Sequence, residues 1–156
     1  MAMSLTSPAF ANGATIPRRH SCDGEDLSPA LAWSGVPENA RSLFLICEDP
    51  DAPGGVFRHW AAYNIPPDMT GLDESFSPHS QEAGIRQAVN DFGKVGYGGP
   101  CPPRRDKPHH YHFRLYALDA ALDDVSASAT CAEVLRRAQP HVLATAELIG
   151  VYGRGG

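Results

Sequence analysis

The sequence predicts an all-β-dominated fold, an antiparallel β-sandwich with one or two helices near the C-terminal end. Three observations carry this. Short apolar or alternating runs are separated by closely spaced turn signals, with 14 prolines and 15 glycines distributed between them. Residues 109–117 alternate cleanly, with His109, Tyr111, Phe113, Leu115 and Ala117 on one face and His110, His112, Arg114 and Tyr116 on the other. Only one stretch, residues 130–139, carries a good helix signal. At 156 residues the chain has the size of one domain spanning residues 1–156, large enough for a proper core without staples.

In chain order, Asn12-Gly13 marks a turn within residues 1–21, which hold one strand ending near Ile16. Residues 22–29 are polar and turn-like. A short strand follows over residues 31–33, stopped by Ser34-Gly35 and Pro37. Residues 42–47 (SLFLIC) form a continuous apolar run between turn signals, the pattern of a strand buried on both faces. This strand delivers Asp49 and Asp51 at its end, where Pro50 and Pro53 stop regular pairing. Residues 59–65 (HWAAYNI) make the next strand, closed by Pro66-Pro67. Residues 68–91 read as a long irregular crossover with one short strand near Ile85. Strand 110–118 belongs to the same sheet as 42–47 and 59–65. In the helix, Thr130 and Glu133 match a capping box, Val134, Leu135 and Ala138 share a face, and Arg136 and Arg137 sit near the C-terminal end. Residues 143–152 read as a closing strand, central because of Leu148, Ile149 and Val151.

Composition narrows the function classes. With 13 Lys+Arg against 18 Asp+Glu the net charge is −5, which argues against a nucleic-acid partner. Arg104, Arg105 and Lys107 make one small basic patch. No apolar run reaches membrane-spanning length and no basic-then-apolar leader opens the chain, so a cytoplasmic location without integral membrane association is expected. The four cysteines (Cys22, Cys47, Cys101, Cys131) form no CxxC pair and are expected to be reduced, with Cys47 in the core.

The candidate site gathers at strand ends: Asp49, Asp51, His59, His109 and Tyr111. Carboxylates beside histidines fix their tautomer and favour the charged form, so two such histidines give positive potential and donors for a phosphate or carboxylate group. In the GYGGPCPP loop before His109 the prolines lack an N–H, leaving Gly98, Gly99 and Cys101 as backbone donors. A cis peptide bond is expected at Ala52-Pro53, in a tight acid-lined turn.

Asp49-Pro50-Asp51-Ala52-Pro53 followed by His59-Trp60, the GYGGPCPP loop and the HHYHFRLYALD strand resemble the phosphatidylethanolamine-binding protein family (Raf kinase inhibitor-like proteins), in its bacterial branch. The flanks CDGEDLSPALAWSGVP and HVLATAELIGVYGR extend the resemblance over nearly the whole chain. It implies a large central sheet packed on a smaller one, with a ligand pocket at one end. It also implies an anion site at Asp49, His59, His109, Tyr111 and the loop Gly99-Pro100-Cys101. The family usually has His-Arg-Tyr where this chain has His109-His110-Tyr111, and by strand parity His110 points away from the pocket.

The expected function is binding of a small anionic or phosphate-bearing ligand without catalysis, metal or cofactor. Modulation of a partner such as a kinase or protease is implied by the family, and a homodimer stays open. The alternative is a hydrolase in the same pocket, using His59 with Asp49 or the Cys101/His109 pair. Metal ligation is disfavoured because the HHxH run at His109, His110 and His112 splits between strand faces.

Overall fold

The computed structural model describes residues 2–78, 80 and 82–154. Strands β1 (Ser4–Thr6), β2 (Leu31–Ser34) and β5 (Gly71–Leu72) form a small antiparallel sheet in the order β1-β2-β5. Strands β3 (Ser42–Asp49), β4 (Phe57–Ile65), β6 (Arg86–Gln87), β7 (His109–Leu118) and β8 (Val142–Tyr152) form the large one, in the order β6-β4-β3-β7-β8. The three strands expected to share a sheet do so, each paired antiparallel to its neighbour.

Two layers of apolar side chains explain the continuous SLFLIC run. Leu43, Leu45 and Cys47 face the small sheet and pack with Leu5, Leu31 and Trp33. Phe44 and Ile46 face the other way, under Leu122, Val125 and helix α1 (Cys131–Ala138). All eight residues of β3 are therefore buried. The capping box of α1 is formed as expected, with the Thr130 hydroxyl accepting from the Glu133 N–H and the Glu133 carboxylate accepting from the Thr130 N–H. On the helix side of the sheet, Glu48 accepts from Arg58 at 2.9 Å and from Arg114 at 2.7 Å, and Arg114 also donates to Glu147 at 2.7 Å. This chain of ion pairs crosses β4, β3, β7 and β8 and fixes the relative register of the strands that carry the site.

Several expectations are corrected. β8 is an edge strand and not a central one; its outer side is capped by backbone bonds from Gly13 N–H to the Ile149 carbonyl and from Ile16 N–H to the Val151 carbonyl. Residues 14–16 accordingly bridge to β8, and the N-terminal strand lies earlier, at β1. The crossover 68–91 carries two short strands, β5 and β6. The Ala52-Pro53 bond is trans. Its turn is closed by Asp51 N–H to Asp49 Oδ1 and Gly55 N–H to the Ala52 carbonyl, and Gly55 at φ +109° makes the reversal. Finally, Cys22 and Cys101 are not reduced: they form a disulfide with a Cα–Cα distance of 5.4 Å across 79 residues. Cys47 and Cys131 are free and buried. Among the described residues no helix is long and apolar enough to cross a membrane.

Candidate functional site

The ends of β3, β4 and β7 meet the residues 98–103 loop around a cavity of about 130 Å³. Of the residues singled out from sequence, Asp49, His59, Cys101, His109 and Tyr111 line it. Apolar walls come from Phe57, Phe92, Pro53 and Pro102. Phe92 carried no sequence signal; it comes from a loop after the irregular crossover and meets Phe57 edge-on at 4.7 Å.

Asp49 is buried, accepting from the Asp51 N–H at Oδ1 (2.8 Å) and from His109 Nδ1 at Oδ2 (2.7 Å). Of the two histidines that the sequence sets near Asp49, the structure gives it to His109. The second ring nitrogen of His109 meets Asp106 Oδ2 at 2.9 Å. Burial disfavours charge on this ring, and hydrogen bonds and charge from the two carboxylates outweigh it, raising His109 above the usual histidine range.

His59 goes the opposite way. Its Nδ1 donates to the Gly98 carbonyl at 2.7 Å, and its ring packs edge-on against Tyr111 and Phe92. Burial pushes its pKa below the ordinary value, against smaller upward pulls from the Gly98 and Gly99 backbone and from Asp49. A carbonyl only accepts, so Nδ1 carries the hydrogen and the neutral ring keeps Nε2 as an acceptor. The expectation that both histidines are charged is corrected: His109 is flanked by two carboxylates and His59 is held toward neutrality.

Tyr111 is fully buried, and among the described residues its hydroxyl is the one buried side-chain polar atom without a protein hydrogen-bond partner. Burial, with Asp49 next, drives its pKa far up, so it stays a neutral O–H donor.

The loop supplies fewer donors than expected. Gly98 N–H goes to the His59 carbonyl and Gly99 N–H to Asp26 Oδ1 at 2.8 Å, which leaves the Cys101 N–H. Gly99 and Pro100 stand behind the cavity wall, where Pro100 accepts from the Cys22 N–H. A Cβ at Gly99 would overlap the His20 carbonyl and the Asp26 carboxylate, so glycine is needed for this close approach. Asp51 also lies outside the cavity. Its Oδ2 takes both the N–H and the Nδ1 of exposed His110, each at 2.8 Å. His110 points away, as strand parity required. The hydrolase arrangements are not assembled: the Cys101 sulfur is in the disulfide, and His59 is oriented by a backbone carbonyl, not by Asp49.

A sandwich of a large and a small antiparallel sheet with a cavity at its strand ends is the architecture the sequence resemblance implied. The family model for phosphatidylethanolamine-binding protein matches residues 6–153, and the chain belongs to that family. It is 50% identical to the UPF0098 protein of Methanothermobacter thermautotrophicus over 154 residues, covering 98% of this chain and 100% of the relative. Among solved structures it is similar to E. coli YbcL, described as a member of the mammalian PEBP family (36% identity, TM-score 0.92, 98% and 99% of the two chains). The PEBP homolog CT736 of Chlamydia trachomatis matches at 42% identity and TM-score 0.86, over 97% of each chain.

Proposed function

We propose that the cavity binds a small anionic group of the phosphate or sulfonate type, and that the protein is a binding module, not an enzyme. The observation that carries this is the Tyr111 hydroxyl, buried in the cavity wall with no protein partner. Buried polar groups are almost always hydrogen-bonded, so its partner comes from the cavity contents. Beside it stand the Cys101 N–H and His59, whose Nε2 becomes a charged donor once an anion draws a proton to it. Phe57, Phe92 and the prolines favour an apolar substituent next to the anion. Phe92 and the neighbouring Val56 are roughly half exposed at 45% and 46%, an apolar rim suited to the partner-protein role that the family suggests.

Calorimetric titration with methanesulfonate, whose charge does not change with pH, tests the reading. Saturable binding that is strongly weakened in His59→Ala and in Tyr111→Phe is the expected result, together with no turnover of a chromogenic phosphoester. Wild-type affinity in both variants, or no binding at any pH, refutes the anion pocket; turnover that depends on His59 supports the hydrolase instead.

A further inference from the structure

Residues 102–108 begin with Pro102 and Pro103 of the cavity lining and are pinned at two ends by different chemistry. At the first end the Cys22–Cys101 disulfide ties them to the N-terminal segment. At the second, the Asp106 carboxylate meets His109 Nε2 at 2.9 Å while Asp49 holds Nδ1 at 2.7 Å. A neutral imidazole carries one N–H and an ionised carboxylate carries none. The two bonds coexist on the imidazolium alone.

When the ring loses its proton, one N–H remains for two acceptors. Asp49 is 3% exposed, whereas the Asp106 side chain is 35% exposed and can be hydrated. Leaving buried Asp49 Oδ2 without a donor costs more than leaving the hydrated Asp106 carboxylate without one. The N–H therefore stays with Asp49, and Asp106 is left facing the Nε2 lone pair, acceptor against acceptor.

The other groups around His109 do not replace this contact. Tyr111 stacks beside it on β7 at 6.4 Å, and Tyr152 of β8 pairs with it in register while its hydroxyl donates to Asp23. Asp51 is engaged by His110. His59, on the far side of the cavity, is held toward neutrality. Arg105 and Lys107 line an open cleft on the outside of the loop with Asp106 and His109.

We propose that Asp106 is a positioning residue of the cavity: joined to protonated His109, it holds residues 102–108, and with them Pro102 and Pro103 of the lining, in place, and loss of that proton releases them. Pro102 and Pro103 leave the cavity lining when the segment is released, so access widens as pH rises through the raised pKa of His109 and is restricted below it. This goes beyond the anion reading and stands on the loop contact, whatever the cavity binds.

Exposed Arg104 and Arg105 make the loop a trypsin substrate. Its cleavage rate, normalised at each pH to an unstructured peptide with the same Pro-Arg-Arg-Asp sequence, reports the open fraction when opening is fast relative to cleavage. For the wild type the normalised rate should rise about tenfold or more from acidic to alkaline pH, as loss of a hydrogen bond between charged groups implies. Asp106→Ala should be cleaved fast throughout, Asp106→Glu should restore part of the pH step, and cleavage at Arg137 in α1 should follow neither. NMR titration of the imidazoles should show His109 losing its proton at lower pH in Asp106→Ala than in the wild type. A flat wild-type profile, or an Asp106→Ala variant with unchanged His109 titration and an unchanged profile, overturns the proposal. Absence of methanesulfonate binding with these results intact defeats the anion reading and leaves the wall contact standing.

Discussion

Tyr111→Phe separates affinity from stability. The substitution removes one oxygen from a ring that is otherwise fully packed, and that oxygen has no protein partner to leave unsatisfied. A hydrogen bond to a charged ligand contributes about 1.5–3 kcal/mol, so methanesulfonate affinity should fall by about 10–150-fold. For the free protein, exchanging a buried hydroxyl without a protein partner for hydrogen is neutral to stabilising, by at most about 1 kcal/mol. At this chain length that moves Tm upward by no more than about 4 °C. Calorimetric titration and thermal unfolding on the same samples give both numbers. A Tm lowered by more than about 4 °C would show that the hydroxyl is a structural group after all. Retained affinity would show that Tyr111 does not meet the ligand.

Anion binding should be coupled to proton uptake at His59, because the free ring is held below its ordinary pKa and the bound anion favours the charged form. Affinity then rises as pH falls through the pKa of the complex and levels off below that of the free protein; titrations in buffers of different ionisation enthalpy should show uptake approaching one proton per anion, and zero uptake contradicts the role. The two histidines have opposite effects on folding: the lowered His59 stabilises the fold above about pH 6.5 and that contribution is lost in acid, whereas the raised His109 stabilises below about pH 6.5 and is lost as pH rises through its folded pKa. Stability profiles of His59→Ala and His109→Ala should therefore diverge on opposite sides of neutrality. Replacing both Cys22 and Cys101 by serine releases a constraint across 79 residues, for which chain entropy gives about 4.5 kcal/mol. The expected loss in Tm is about 10–15 °C, and a loss below about 3 °C would contradict this account. Gly99→Ala should destabilise by about 1–3 kcal/mol through overlap with the His20 carbonyl and Asp26; unchanged unfolding in denaturant would count against the close approach.

What the sequence made legible was whatever is encoded locally. The alternation of residues 109–117 gave the facing of β7, and its parity correctly sent His109 and Tyr111 inward and His110 outward. The apolar run of β3 and the capping box of α1 are similarly self-contained signals. Misreadings arose where the deciding partner is distant or is backbone. Cys22 meets Cys101 because residues 20–26 pack behind Gly99, a juxtaposition with no trace in cysteine spacing. His59 takes its tautomer from the Gly98 carbonyl, an acceptor common to every residue and so invisible in a motif. Asp106, inside an Arg-Arg-Asp-Lys run, drew no reading from the sequence and yet reaches the one histidine that Asp49 has already claimed. The apolar content of β8 suggested a central strand, but its inward-facing residues pack in the sandwich while residues 13–16 cap its outer edge.

The bond between Cys22 and Cys101 also fixes the covalent topology of the molecule. Residues 22–101 form a closed ring holding β2 through β6, with β1 on one tail and β7, α1 and β8 on the other. A backbone cut inside the ring, for instance after Arg86, leaves one covalently connected molecule. A cut after Arg104 divides it into two pieces joined only through noncovalent contacts, chiefly the β3–β7 ladder and the packing of α1. The two kinds of nick migrate differently on a non-reducing denaturing gel and identically in native form. New chain ends opened within the crossover that starts at residue 68 therefore keep their neighbours tethered, which makes it a place where the chain can be interrupted without parting the pocket's three strands.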